Sequence, residues 1–221
     1  MGKRLAYLHT VAGLTATFKA LSDELLPGVD LFHIVDESLL QNTIRANQLT
    51  PQTMRRLLRL VISAEEAGAD LVMVTCSSVG PAVEASRPFV HIPVLRVDEP
   101  MAELAIQNGK TIGVAATLQT TLKPTAELIA NVAARQGKAV QVISKLCEGA
   151  FQAVISGDTA RHDQLVSAGL QELVPQVDVV VLAQASMARV VESLPEETRR
   201  VPILSSPRLA VERLAQLIPT L

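Results

Sequence analysis

Short apolar runs alternate along this chain with longer segments in which apolar residues recur at helical spacing. The runs are continuously hydrophobic, which is typical of parallel strands buried on both faces. They predict strands at residues 4–8, 30–34, 71–74, 94–97, 111–115, 139–143, 177–182 and 201–204. Start and stop signals, such as Thr50-Pro51 before one segment and Gly68 after it, predict helices at residues 50–67, 98–107, 120–136, 159–174 and 207–217. This alternation indicates an α/β fold.

The two halves of the chain repeat the same order of elements. In each half the third strand ends in a turn of small residues, VMVTCSSVG at residues 72–80 and VVVLAQASM at residues 179–187. We therefore expect two similar α/β lobes, residues 1–96 and 97–204, each with a mostly parallel sheet flanked by helices and related by pseudo-two-fold symmetry. The helix within residues 205–221 is expected to pack back onto the first lobe. Because ligands of open α/β sheets bind beyond the carboxyl ends of the strands, the expected site is a cleft between the lobes.

Charge and composition exclude several classes of partner. The chain has 20 Lys+Arg against 22 Asp+Glu, no basic run longer than a pair of arginines, 2% aromatic residues and no Trp. We expect no nucleic-acid or anionic-membrane partner, because both require a basic face and base stacking requires aromatic rings. No apolar stretch reaches the roughly 18 to 20 residues that span a bilayer. The basic and apolar N-terminal segment is interpreted as a strand and not as a signal peptide.

The two cysteines, Cys76 and Cys147, form no C-x-x-C motif, which favours a reducing cytoplasm over a secreted disulfide framework. A disulfide between them is the alternative. Cys76 follows a predicted strand at a turn where free N–H groups could bind an anion and lower the pKa of the thiol. Thr75, Ser77 and Ser78 add hydroxyl groups. This turn could hold a carboxylate beside a thiol, but a buried structural cysteine is an equally reasonable interpretation.

Other candidate groups are weaker. The turn at residues 117–121 is rich in threonine and could bind a second ligand oxygen, although its hydroxyls could equally cap the next helix. Thr10 occupies the corresponding turn of the first half. His9 could be a general acid, with a structural histidine as the more common alternative. Asp36 to Ser38 could cap a helix or form a wall of the site, and we interpret them as a cap. The remaining histidines and the two cysteines show no spacing that predicts a metal site.

The chain resembles the aspartate/glutamate/hydantoin racemase superfamily, whose members do not use pyridoxal phosphate. The resemblance covers most of the chain and rests on the segments VTCSSVG, VDEPMAELA, IGVAATLQTTLKPT, EGAFQAVISGD, VVVLAQASM and LSSPRLAVERL. It implies an isomerase in which two cysteines, one at each strand end, face each other across the α-carbon of a small amino or carboxylic acid. One thiolate removes a proton, and the other thiol returns one from the opposite side.

The resemblance also implies a role for individual residues. It places the first cysteine at Cys76 and puts Gln184 at the second cysteine position, where an amide cannot act as a general acid or base. The substrate-binding positions that it implies are Thr10, Thr75, Ser77, Ser78, Thr117, Thr120 and Ala185. It implies no cofactor, and Cys147 does not match the missing thiol. We also expect a homo-oligomer.

The change at position 184 leaves several functions open. The chain could be a racemase whose second proton comes from water or His9. It could instead be a decarboxylase, lyase or isomerase with one cysteine, or a protein that binds carboxylates without turnover.

Overall fold

Two four-stranded parallel sheets form the framework of the computed structural model, which describes residues 2–221. The first sheet has the strand order β2-β1-β3-β4, and the second has the equivalent order β6-β5-β7-β8. The strands are β1 (Arg4–His9), β2 (Asp30–Val35), β3 (Leu71–Val74), β4 (Val94–Arg96), β5 (Thr111–Ala116), β6 (Gln141–Leu146), β7 (Val179–Leu182) and β8 (Ile203–Ser205). The predicted α/β class with mostly parallel sheets is confirmed.

Helices separate the strands along the chain. They are α1 (Leu14–Leu25), α2 (Ser38–Arg45), α3 (Pro51–Glu66), α4 (Gly80–Ser86), α5 (Glu99–Asn108), α6 (Gln119–Arg135), α7 (Ala150–Ile155), α8 (Thr159–Leu173) and α9 (Ser206–Leu217). The chain divides into two units, one extending to Glu99 and including Pro207–Leu221, the other comprising Pro100–Ser206.

The strands of the first unit are hydrophobic throughout because both faces of their sheet are covered. On one face, Leu8 and Val74 belong to a buried cluster with Leu57 and Val61 of α3. The other face carries a second cluster, in which Tyr7 joins residues of two helices and one strand: Phe18 of α1, Val211 and Leu214 of α9, and Met73 of β3. Successive residues of a strand therefore pack into cores on opposite faces of the sheet. This explains why these strands are continuously hydrophobic and show no alternation of apolar with polar residues.

Several elements differ from the predicted ones. The β1 strand extends one residue further, to His9, and β6 begins at Gln141 because residues 139–140 lie outside the ladder with β5. Four helices were not predicted: α1, α2, α4 and α7. No side-chain hydrogen bond is made at the N-cap position of any of these four helices, although α4 has Pro81 in its first turn.

A buried ion pair supports the start of α4. The Nε and Nη2 atoms of Arg96 each donate to a different carboxylate oxygen of Asp98 at 2.9 Å, and Nη1 donates to Glu84 of α4. Arg96 and Asp98 are almost completely buried. The guanidinium packs directly against the backbone of Gly80, where an added Cβ would lie 2.3 Å from Cζ of Arg96. Position 80 therefore requires glycine for close approach.

We expect Gly80→Ala to destabilise the protein by about 1–3 kcal/mol, the usual cost of inserting a methyl group into a packed interior. Arg96 cannot move aside cheaply because two carboxylates hold it. Urea unfolding measures the effect. Gly13→Ala is the matched control, since Gly13 has a negative φ and a Cβ added there would meet no atom within 4 Å. Equal stability of the two variants would contradict this role of Gly80.

Candidate active site

Cys76 lies beyond the carboxyl end of β3 in an extended conformation, with φ −139° and ψ 116°. A short 3-10 turn, Ser77–Val79, separates Cys76 from the start of α4 at Gly80. The backbone N–H groups of Ser78 and Val79 and the hydroxyl of Ser78 donate to the thiol. Cys76 is half-buried and free. The turn therefore surrounds a single sulfur atom with hydrogen-bond donors.

Burial raises the pKa of the Cys76 thiol above its ordinary range. The hydroxyl of Thr10 and the donors of Ser78 and Val79 oppose this shift without reversing it. The lowered thiol pKa expected from the turn was therefore wrong in direction, because loss of hydration disfavours the thiolate more than the donors favour it. Burial therefore disfavours the thiolate form of Cys76.

Thr10 follows β1 on the neighbouring strand and is 2% exposed. It lies close enough to the Cys76 thiol to lower its pKa, yet its Oγ1 atom makes no hydrogen bond to any oxygen or nitrogen atom of the described residues. A buried hydroxyl without such a partner is uncommon, because its desolvation is not offset. Ser77 is also buried at this turn. The structure thus brings Thr10, Ser77 and Ser78 together around Cys76.

His9 and Thr75 lie on the other face of the same sheet. His9 is two residues from Tyr7 on β1, and Thr75 is consecutive with Cys76, so both side chains point away from the face of the thiol. The Nδ1 atom of His9 is 2.8 Å from Oγ1 of Thr75, and its Nε2 atom is 2.9 Å from Nδ1 of His33. Burial, with a smaller effect of His33, lowers the pKa of His9 to about 4.

The arrangement at His9 uses both ring nitrogens within the protein, which fits a structural or positioning role better than direct proton donation. His33 was not predicted as a site residue. The signal for it is the strand register, because His33 pairs with Tyr7 and so lies on the face of His9. The hydrophobic pattern of one strand does not reveal how that strand is aligned with its neighbour, so the sequence alone does not give this register.

Gln184 occupies in the second unit the position that Cys76 occupies in the first. The N–H of Thr75 donates to the carbonyl of Leu8, and the N–H of Ala183 donates to the carbonyl of Ala115 in the matching position. The residue that follows each donor is extended and precedes a 3-10 helix, with φ −137° and ψ 138° at Gln184. These equivalent bonds support the predicted alignment of the two turns.

The side chain of Gln184 is held by Thr117 at the end of β5. Its Oε1 atom accepts from the N–H of Thr117 at 2.6 Å, and its Nε2 atom donates to Oγ1 of Thr117 at 2.7 Å. Nearby in sequence, Thr120 lies in the first turn of α6, and its buried Oγ1 atom has no hydrogen-bond partner among the described residues. Ala185 is half-buried and begins the 3-10 helix Ala185–Ser193.

Asp36 lies two residues before the start of α2 and bonds to its first residue, whereas Glu37, at the N-cap position, makes no side-chain cap hydrogen bond. The Asp36 carboxylate accepts from the N–H of Ser38 at 3.1 Å and from its hydroxyl at 2.6 Å, and it pairs with Arg56. Burial acts to raise the pKa of Asp36, but these hydrogen bonds and the charge of Arg56 hold it below its ordinary value. All its polar contacts are internal to the first unit.

Cys147 is a packed structural cysteine. It is 3% exposed and free, and burial raises its pKa to about 11. Gly169 of α8 lies against it, and a Cβ at that position would be 2.6 Å from Sγ of Cys147. The absence of a side chain at position 169 allows the helix to pack on the sulfur.

Residues 2–221 contain neither a metal-binding cluster nor a membrane span. No group of three or more His, Cys, Asp and Glu side chains could hold a metal ion in this part of the chain. Among the same described residues, no helix is long and apolar enough to cross a membrane.

Comparison with known proteins gives one family and one fold. The family model described as Asp/Glu/Hydantoin racemase matches residues 9–214. Glutamate racemase RacE1 from Bacillus anthracis is 20% identical, with a TM-score of 0.71, and the match covers 99% of this chain and 82% of that one. Glutamate racemase from Francisella tularensis, in complex with D-glutamate, is 14% identical with a TM-score of 0.77, covering 99% and 81%. Allantoin racemase from Klebsiella pneumoniae is 18% identical with a TM-score of 0.69, covering 99% and 89%. None of the curated proteins compared with the chain shows significant sequence similarity.

We expect iodoacetamide to alkylate Cys76 slowly at neutral pH and faster as the pH rises beyond the ordinary thiol range of about 8.5. Thr10→Val should slow the reaction about tenfold at a fixed pH, because a hydrogen bond to a charged group contributes about 1.5 kcal/mol or more. Mass spectrometry distinguishes Cys76 from Cys147. Thr10→Ser, which keeps the hydroxyl, should react like the wild type, whereas rapid alkylation at neutral pH would contradict the raised pKa.

Proposed function

The chain belongs to the Asp/Glu/hydantoin racemase family, and we propose that it is an enzyme that transfers a proton at the α-carbon of a small carboxylic or amino acid through Cys76. The proposal requires no cofactor. The observation that carries it is the Cys76 turn, where a free thiol is surrounded by donors that include a buried hydroxyl without an oxygen or nitrogen partner.

The donors at this turn suit a carboxylate ligand. An oxygen of the ligand would accept from Thr10, whose buried hydroxyl has no oxygen or nitrogen partner among the described residues. The N–H groups of Ser78 and Val79 can stabilise negative charge on the sulfur. Removal of an α-proton places negative charge on the substrate carboxylate as an enediolate, and donors fixed in advance stabilise that charge most strongly in the transition state.

A raised pKa suits the Cys76 thiol to proton donation. A neutral thiol is a proton donor, so Cys76 can protonate a carbanion directly and becomes a thiolate held by the donors of the turn. To remove a proton, the thiol must first ionise. Binding of a cationic ammonium group close to the sulfur would lower the cost of ionisation by direct attraction.

Racemisation is the first candidate reaction because of the family. It requires removal of the proton from one face of the α-carbon and its return on the other. The resemblance puts the second acid/base group at position 184, where the amide of Gln184 does not titrate and is bonded to Thr117. In a racemase with glutamine at position 184, the second proton comes from water or from another group.

A second candidate is decarboxylation with protonation on one face. The bond between the α-carbon and one carboxylate breaks, carbon dioxide leaves, and the electron pair stays on the α-carbon. The thiol of Cys76 then supplies a proton, and the resulting thiolate takes a proton from water. This candidate is favoured by the absence of a titratable side chain at position 184 and by the burial that raises the pKa of the Cys76 thiol.

The test is turnover in deuterated water with a panel of amino acids and substituted malonates, followed by chiral chromatography and mass spectrometry. One-face chemistry gives a single deuterated enantiomer, whereas racemisation gives both. Gln184→Cys should increase racemisation at least tenfold, because it supplies a titratable group at the second position. Cys76→Ser should abolish both reactions, and Cys147→Ser should change neither.

Different outcomes separate the candidates. Efficient racemisation by the wild type, lost in Cys76→Ser, rejects one-face chemistry and keeps Cys76. Activity that survives Cys76→Ser rejects the proposed role of the thiol. An acid that protects Cys76 from alkylation but is never converted identifies a carboxylate-binding protein without turnover.

A further inference from the structure

The turn that carries the donors to Cys76 lies between two fixed points of the first unit. On one side, Cys76 follows β3, whose pairing with β4 fixes that end. On the other side, α4 begins at Gly80, directly after the 3-10 turn Ser77–Val79. The N–H of Gly80 donates to the carbonyl of Ser77, so the first residue of α4 also closes the turn. The position of the turn therefore depends on where α4 begins.

Arg96 reaches from the last residue of β4 to the start of α4. Its guanidinium lies against Gly80, where an added Cβ would be 2.3 Å from Nη2 and 2.7 Å from Nε. Its Nη1 atom donates to Glu84, which is four residues after Gly80 and so lies on the same face of α4. Arg96 therefore contacts two successive turns of α4 and connects them to the sheet.

Asp98 fixes the orientation of the guanidinium. Nε and Nη2 of Arg96 each donate to one oxygen of the Asp98 carboxylate at 2.9 Å, and both residues are almost completely buried. A planar guanidinium that is bound through two parallel hydrogen bonds is held in one plane. A buried ion pair adds little net stability compared with apolar residues of the same size, because desolvation offsets the attraction. What this pair provides is a fixed geometry at Gly80.

A small movement of Gly80 affects the donors to the thiol. The N–H groups of Ser78 and Val79 donate to the sulfur of Cys76, and these are the two residues directly before Gly80. Hydrogen bonds weaken steeply as their angle departs from linear. A displacement of Gly80 moves both N–H groups through the backbone. The contact between Arg96 and Gly80 therefore determines how well the turn can hold a thiolate.

We propose that Arg96 is a positioning residue, which holds Gly80 so that the N–H groups of Ser78 and Val79 converge on the sulfur of Cys76. The inference rests on the proposed function, in which the donors of this turn hold the thiolate that proton donation leaves. It assigns no contact with the substrate to Arg96.

The effect of Arg96 is one of geometry and not of charge. The positive charge of the guanidinium is matched by the carboxylates of Asp98 and Glu84, so the three side chains carry no net positive charge that would favour a thiolate. Lysine at position 96 keeps the charge but loses the rigid fork of donors. Arg96→Lys therefore changes the geometry at Gly80 and leaves the charge as it is.

Arg87 provides a matched control at the other end of α4. Its Nε atom donates to the carbonyl of Val94 on β4 at 3.0 Å, and its Nη2 atom pairs with Glu99 at 3.0 Å. Like Arg96, Arg87 thus connects α4 to β4 and to an acidic residue that follows β4. The whole of α4 separates it in sequence from the turn at Cys76. Arg87→Lys removes a similar anchor without changing the contact at Gly80.

The test measures the rate at which iodoacetamide alkylates Cys76 as a function of pH in the ligand-free protein. Arg96→Lys should slow alkylation about tenfold at a fixed pH below the thiol pKa, the effect of about one lost hydrogen bond to the charged sulfur. Arg87→Lys should react like the wild type, although urea unfolding should show both variants to be less stable. Cys147 is the internal reference, because it is buried and should react only if a variant unfolds.

Gly80→Ala is the second variant, because it changes no charge and forces the backbone away from Arg96. It should slow alkylation of Cys76 as Arg96→Lys does, and it decides the question if Arg96→Lys does not fold. Unchanged or faster alkylation in either folded variant, or equal slowing in Arg87→Lys, would overturn the role of Arg96. The measurement needs no substrate, so activity that survives Cys76→Ser rejects the proposed function and leaves this result valid.

Discussion

The bond from the N–H of Thr75 to the carbonyl of Leu8 organises the candidate site. It is 3.0 Å long and extends the pairing of β1 with β3 one residue beyond the end of β3. Because it keeps the backbone extended through Cys76, consecutive side chains point to opposite faces of the sheet. The thiol is thereby directed toward Thr10 and the following turn, and the hydroxyl of Thr75 toward His9. One backbone hydrogen bond thus places two consecutive side chains in different surroundings, with Cys76 beside Thr10 and Thr75 beside His9.

The second unit has the same backbone arrangement with different side chains. The bond from Ala183 to Ala115 corresponds to that from Thr75 to Leu8, and the next residue is again extended. Where the first unit has a thiol and a hydroxyl without an oxygen or nitrogen partner, the second has the amide of Gln184 bonded twice to Thr117. The repeated fold therefore does not repeat the chemistry, because the two strand ends differ in which polar groups the protein itself satisfies.

Much of this arrangement could be predicted from the sequence, because it depends on local features. Continuous apolar runs identify strands buried on both faces, and the repeated order of elements aligns Cys76 with Gln184. The thiol pKa could not be predicted, since it is the difference between burial by distant residues and donation by Thr10 and Ser78. The contact between His33 and His9 also could not be predicted, because it depends on the register between β1 and β2. Both properties depend on residues that are distant in sequence, so no short segment of the chain predicts them.

The packing of α9 against the first unit affects the order in which the two units can fold during synthesis. Ala210, Val211 and Leu214 of this helix are completely buried against the face of the first sheet that carries Tyr7. During synthesis on the ribosome, that face stays uncovered until the whole second unit has been translated, whereas the second unit is contiguous in the chain. Domains that emerge first generally fold first. Here the first unit emerges first but cannot complete its core until α9 has been made. While the second unit is being translated, the nascent first unit therefore exposes an apolar surface, which chaperones can bind and which favours aggregation.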